Sequence, residues 1–145
     1  MMKRTVLVSL AMLAASSLSN AAEPNFVETR QAGQDLLAGD FAGIRAVVAA
    51  KGDLTKLEGP SKAMARWMRQ FPTQFPAGTE KVKGTKALPA IWSDSAGFQQ
   101  AADKMADAAD KLAVLTKAND AEGVAAQIKV VGDACGACHR AYREK

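Results

Sequence analysis

Cys135, Cys138 and His139 are the residues of this 145-residue sequence best suited to chemistry, and they stand together as Cys135-Gly136-Ala137-Cys138-His139. The chain has two cysteines and one histidine in all, so the whole stock of thiols and imidazoles is spent on one C-x-x-C-H pattern. The recognised meaning of that pattern is covalent attachment of a c-type haem. Residues three apart on a helix share a face about one turn apart, so both thiols reach the two vinyl groups on one side of a porphyrin. His139, next to the second thiol, then points its ring at the iron as proximal ligand. Gly136 and Ala137 keep bulk away from the haem edge. One motif implies one haem c per chain.

Three plainer readings compete. A thioredoxin-type redox pair sits at a helix N-terminus in a βαβ setting, whereas this pair falls late in a helical segment. A zinc site takes about four nitrogen or sulfur ligands, more than the chain offers. A disulfide between positions i and i+3 of a regular helix is an awkward bridge. A non-haem helical interaction protein closed by such a disulfide stays as a distant alternative.

The elements that must position the motif are helical. From Phe26 the apolar residues Leu37, Phe41, Ile44 and Val48 recur on one face, with Leu36 and Val47 widening it, and predict a helix ending near Lys51-Gly52. A short helix follows Asp53, carrying Leu54 and Leu57 and resuming with Met64, Trp67, Met68 and Phe71 after Pro60, which is expected to break or kink it. Pro72 to Pro89 reads as a long connection packed over the domain. A third helix runs from Ser93–Ser95 to Lys117, with Phe98, Ala102, Met105, Ala109 and Leu112 inward. The fourth starts at Asn119-Asp120, plausible caps, and its stripe is Val124, Ile128, Val131, Cys135, Cys138, Tyr142. No strand alternation is sustained. The expected fold class is all-α, an antiparallel four-helix bundle with covalently attached haem.

Met1 to Arg4 are positively charged, Thr5 to Leu18 are apolar, and Ser19-Asn20-Ala21 is a small-residue cleavage site, so residues 1–21 read as a signal peptide. The apolar run is shorter than a membrane span. Cleavage leaves residues 22–145 as the domain, places it in the periplasm, and lowers the net charge from +4 to +2 by removing Lys3 and Arg4. A charge that small gives no case for nucleic acid. Two basic clusters, Lys81, Lys83 and Lys86, and Arg140, Arg143 and Lys145, read either as ordinary solvated surface or, if the fold joins them, as a positive rim for an acidic redox partner.

Over residues 23–145 the chain resembles class II c-type cytochromes of the cytochrome c′ type. The resemblance rests on Cys135 through Tyr142 and Arg143, with the motif close to the C-terminus. Arg30-Gln31 in the first helix and the stretch Thr85 to Trp92 before the third helix add to it. It implies that Arg30 and Gln31 lie near the haem propionates and the opposite face of the haem, and that Thr85 contacts it. Low-spin relatives carry a methionine ligand four residues beyond the Arg30 position, where this chain has Gln34. No methionine or histidine occurs between Ala22 and Gly52, and Met64, Met68 and Met105 read as core. The expectation is a five-coordinate, mainly high-spin iron with Gln34 over its open face. Two functions follow: one-electron carriage between redox partner proteins, and binding of nitric oxide or carbon monoxide. No general base or nucleophile is left for an enzyme. Relatives of this type form homodimers through their first two helices, and this sequence is compatible with that.

Overall fold

The computed structural model describes residues 25–145; the expected signal peptide, residues 1–21, lies outside them. Helices α1 (Phe26–Ala49), α2 (Glu58–Gln70), α4 (Ser95–Lys117) and α5 (Ala121–Tyr142) form a four-helix bundle, with a single-turn α3 (Ala90–Ser93) leading into α4. Among the described residues there is no strand, only an isolated bridge between Ala87 and Arg143, and no helix long and apolar enough to cross a membrane.

Three of the four bundle helices, α1, α4 and α5, begin where a side chain satisfies one of the free N–H groups of the first turn, while α2 has no such cap. Asn25 accepts from the Glu28 N–H at 3.1 Å, Asp94 from Gly97 at 3.2 Å and Asp120 from Gly123 at 2.9 Å. The two short hairpin turns stop their helices alike. After α1 the Gly52 N–H returns to the Val47 carbonyl and the Lys51 N–H to Val48. After α4 Asp120 returns to Leu115 and Asn119 to Thr116. Both stops need a residue in the left-handed region, filled by Lys51 (φ 51°) and Asn119 (φ 54°). Asparagine tolerates this; lysine pays for its Cβ. Lys51→Gly is expected to stabilise the fold by about 1 kcal/mol, read as a higher denaturation midpoint.

Cross-helix pairs give the directions. Gln34 meets Met68, and Arg30 meets Gln74 in the 3-10 turn Phe71–Gln74 that follows α2; Arg69 and Glu58 of α2 meet Asp107 and Lys117 of α4; Gln127 and Tyr142 of α5 reach Ala108 of α4 and Asp94 at its cap. As one partner's number rises the other's falls, so sequence neighbours are antiparallel. α4 is covered on two sides: Ala102, Met105, Ala106, Ala109, Leu112 and Ala113 are all buried, and the alanines let α2 and α5 both approach closely.

Two expectations need correction. Pro60 neither breaks nor kinks a helix. It is the third residue of α2, where its missing N–H has no intrahelical partner to lose, and the interruption lies at the 3-10 turn Leu54–Leu57 in front of it. Leu36 does not widen the apolar face of α1, being 73% exposed. The buried residues of α1 are Arg30, Leu37 and Ile44, a strict seven-residue spacing that leaves a seam too narrow to take in Leu36.

Candidate haem attachment site

Cys135 and Cys138 lie in the last two turns of α5, both half-buried as free thiols. Cys135 packs against the main core with Leu37, Met64 and Met68 among its members, and Cys138 against a second cluster of Ile91, Phe98 and Tyr142. Burial raises both thiols above their ordinary range, Cys138 to about 11 with help from its neighbour Cys135. Exposed His139 is pushed the other way, by desolvation first and then by the charge of Arg143, which favours the neutral imidazole with its lone pair. Among the described residues no group of three or more His, Cys, Asp or Glu side chains comes together. That donor set suits a metal delivered inside a macrocycle and touched by one protein nitrogen.

The end of α5 is pinned from outside. The Leu88 N–H donates to the Tyr142 carbonyl at 3.0 Å and the Glu144 N–H to the Lys86 carbonyl at 2.8 Å. The Tyr142 hydroxyl donates to Asp94 Oδ2 at 2.8 Å, tying the last turn of α5 to the cap of α4. Gly97 makes room for this, since a Cβ there would meet both Asp94 Oδ2 and the Tyr142 hydroxyl. Around Tyr142, Phe98, Phe75, Phe71 and Trp92 pack edge-on or tilted, with centroids 5.0–5.9 Å apart. Such pairs add about 0.5–1.5 kcal/mol each beyond area burial.

Arg30 is inside this cluster and not snorkelling, only 4% exposed. Its Nε donates to the Gln74 carbonyl at 2.6 Å and its Nη2 to Thr79 Oγ1 at 2.7 Å, with the guanidinium 3.9 Å over the Phe75 ring. No carboxylate pairs with it among the described residues, and Nη1 is buried without a partner. A buried cation with one idle donor is costly unless an anion meets it. Gln31 holds the same connection from outside, Nε2 to the Gly84 carbonyl at 3.0 Å, and half-buried Thr85 accepts from the Ala87 N–H at 3.2 Å. Gln34 is half-buried and faces inward, with Nε2 3.9 Å from Met68 Sδ.

The structure thus gathers Cys135, Cys138 and His139 on one turn and gathers Arg30, Gln31 and Thr85 on the 74–88 connection, while Gln34 stands apart against Met68. Sequence reasoning passed over Asp94, Phe75 and Thr79. Asp94 lay within the expected cap region. The carbonyl of Gln74, which receives Arg30, leaves no trace in a sequence.

A four-helix bundle whose last helix ends in C-x-x-C-H defines a helical-bundle c-type cytochrome. The family model described as Cytochrome C′ matches residues 25–143. The cytochrome c′ of Rubrivivax gelatinosus is 38% identical over 121 residues, covering 82% of this chain and 94% of the relative. A nitric oxide complex of a variant cytochrome c′ from Alcaligenes xylosoxidans superposes with a TM-score of 0.74 at 31% identity, covering 83% of this chain and 94% of that one. A cytochrome c′ described as having an unusual ligand-controlled dimer dissociation superposes at 0.79 with 26% identity, covering 86% and 100%. This chain belongs to the cytochrome c′ family, whose proteins carry covalently bound haem c with iron.

The residues present fit that group. Two thiols share one helical face, a neutral imidazole follows them, and an idle buried guanidinium N–H suits a propionate.

Proposed function

We propose that this cytochrome carries single electrons through one haem c joined to Cys135 and Cys138, with His139 as proximal ligand. When bound, the haem supplies a one-electron iron couple, and the chain's own part is to hold and tune it. The observation that carries the reading is the placement of both thiols and the imidazole in the pinned last two turns of α5, where partial desolvation and Arg143 favour the neutral imidazole that a ligand must be. Arg30 offers Nη1 to a propionate, Gln31 and Thr85 hold the connection beside it, and the aromatic cluster keeps water out. Residence in the periplasm is supported by the signal-peptide pattern of residues 1–21. With every histidine and cysteine committed, it is a carrier and not an enzyme.

A second reading, binding of nitric oxide or carbon monoxide, is favoured by Gln34. It faces inward on α1 where a low-spin relative's methionine would stand, while Met64, Met68 and Met105 are fully buried in the core. The related nitric oxide complex gives it further support. Self-association through α1 and α2 is supported by exposed Leu36 beside a groove lined by Ala32, Gly33, Met64 and Trp67.

Absorption and EPR spectra of the purified protein test both functions together. We expect a pyridine haemochrome of c type, a mainly high-spin ferric iron, and a ferrous form that binds carbon monoxide. A colourless protein ends the haem reading; a low-spin, methionine-ligated iron ends the open-face reading.

A further inference from the structure

The basic residues of this chain are not spread evenly, and the structure joins two clusters that sequence leaves more than fifty positions apart. Residues 80–86 and 140–145 hold six Lys and Arg against two Glu, whereas the other described residues hold eleven basic against twelve acidic. The Ala87–Arg143 bridge and the Glu144-to-Lys86 hydrogen bond set these segments side by side. Lys81, Lys83, Lys86, Arg140, Arg143 and Lys145 are all exposed.

The ion pairs among the described residues lie elsewhere. Glu58 takes Lys62 and Lys117, Asp107 and Asp110 take Arg69, and Asp53 takes Lys56, while none of the six cations of this pole forms an ion pair among the described residues. The pole is also held in shape. Thr79 receives Arg30, Gly84 receives Gln31, and Tyr142 is fixed by both its carbonyl and its hydroxyl, so these charges stand on pinned backbone. Arg140 folds back over Gly136, inside the C-x-x-C turn. Val82, 42% exposed between Lys81 and Lys83, is an apolar contact within a charged surround.

We propose that this pole, centred on Lys81, Val82, Lys83, Lys86, Arg140 and Arg143, is the docking surface for an acidic one-electron redox protein. The proposal rests on the haem reading of Cys135, Cys138 and His139. Complementary charge would steer that partner to the end of α5 that holds the motif. One electron passes between its redox centre and the iron, one being oxidised as the other is reduced. An acidic protein suits the pole better than an anionic membrane, because Glu80 and Glu144 are interspersed and a single valine offers little to insert.

The test is reduction of the ferric, haem-loaded protein by fully reduced flavodoxin, an acidic one-electron donor, followed by stopped flow. The second-order rate is expected to fall about tenfold between about 10 and 200 mM salt. In K81E/K83E/K86E the low-salt rate drops by a similar factor and the salt dependence flattens. K104E/K111E/K129E, equal in charge change but outside the pole, stays within about twofold of the parent. Equal losses in both triple variants, or no loss in either, overturn the proposal. So does cosedimentation with phosphatidylglycerol vesicles that K81E/K83E/K86E abolishes while the flavodoxin rate keeps its salt dependence, since that assigns the pole to lipid. A preparation without haem absorbance overturns the haem reading and takes this proposal with it. A haem-loaded protein failing the rate test overturns the docking surface alone.

Discussion

With Cys135 and Cys138 both replaced by serine, the protein is expected to leave a host equipped for c-type maturation with no covalently bound haem. Acid–acetone extraction should remove all haem absorbance from the variant and none from the parent. The thioethers are the only covalent links the chain can make, since these are its only cysteines. Serine matches the size of cysteine and both positions are half-buried, so the helix itself should survive, as far-ultraviolet circular dichroism would show. Cys138→Ser alone should keep one thioether and shift the pyridine haemochrome band. Haem that resists extraction from the double variant would refute the assignment of these two thiols.

Arg30→Leu distinguishes two accounts of the buried guanidinium. If a haem propionate meets Nη1, the substitution strands a buried anion and leaves the Gln74 carbonyl without its 2.6 Å donor, and loss of one partner of a buried pair costs about 3–5 kcal/mol. If no anion is there, the Gln74 carbonyl still loses its donor, at about 1–3 kcal/mol, but the apolar side chain relieves the desolvation that already lowers the Arg30 pKa, and the net loss is smaller. Guanidinium unfolding of the haem-loaded protein, followed in the Soret band, separates the two. We expect the large loss. A midpoint within experimental scatter of the parent would remove the propionate contact, and with it the reading of Arg30 as a haem residue.

Much of this site was legible beforehand because its residue types are scarce. Two cysteines and a histidine at fixed spacing leave little room for other chemistry, and the stripe from Val124 to Tyr142 put both thiols on the inward face. Hydrophobic periodicity found α4, with Phe98, Ala102, Met105, Ala109 and Leu112 all buried as expected. It failed on Leu36 because a residue's burial depends on how many neighbours its helix has, and α1 packs along one narrow seam. It also understated α4, whose Ala106, Ala108 and Ala113 are covered from a second side. Pro60 was misread because proline's meaning reverses within a few residues of a helix start. The partners of Arg30 and Tyr142 lie 44 to 49 positions away, and a backbone carbonyl such as that of Gln74 has no residue type to betray it.

The paired hairpin stops at Lys51 and Asn119 bear on how the chain reaches this state. Each closes a helical hairpin through contacts local in sequence, α1 with α2 and α4 with α5, and short loops are cheap and quick to close. The contacts that assemble the aromatic cluster are of another kind, joining Arg30 to Thr79 and Lys86 to Glu144 across the intervening chain. The two hairpins are therefore expected to form before they dock, and docking is the step that fixes the end of α5. The pocket for the cofactor is then expected to be the last part of the molecule to gain its shape.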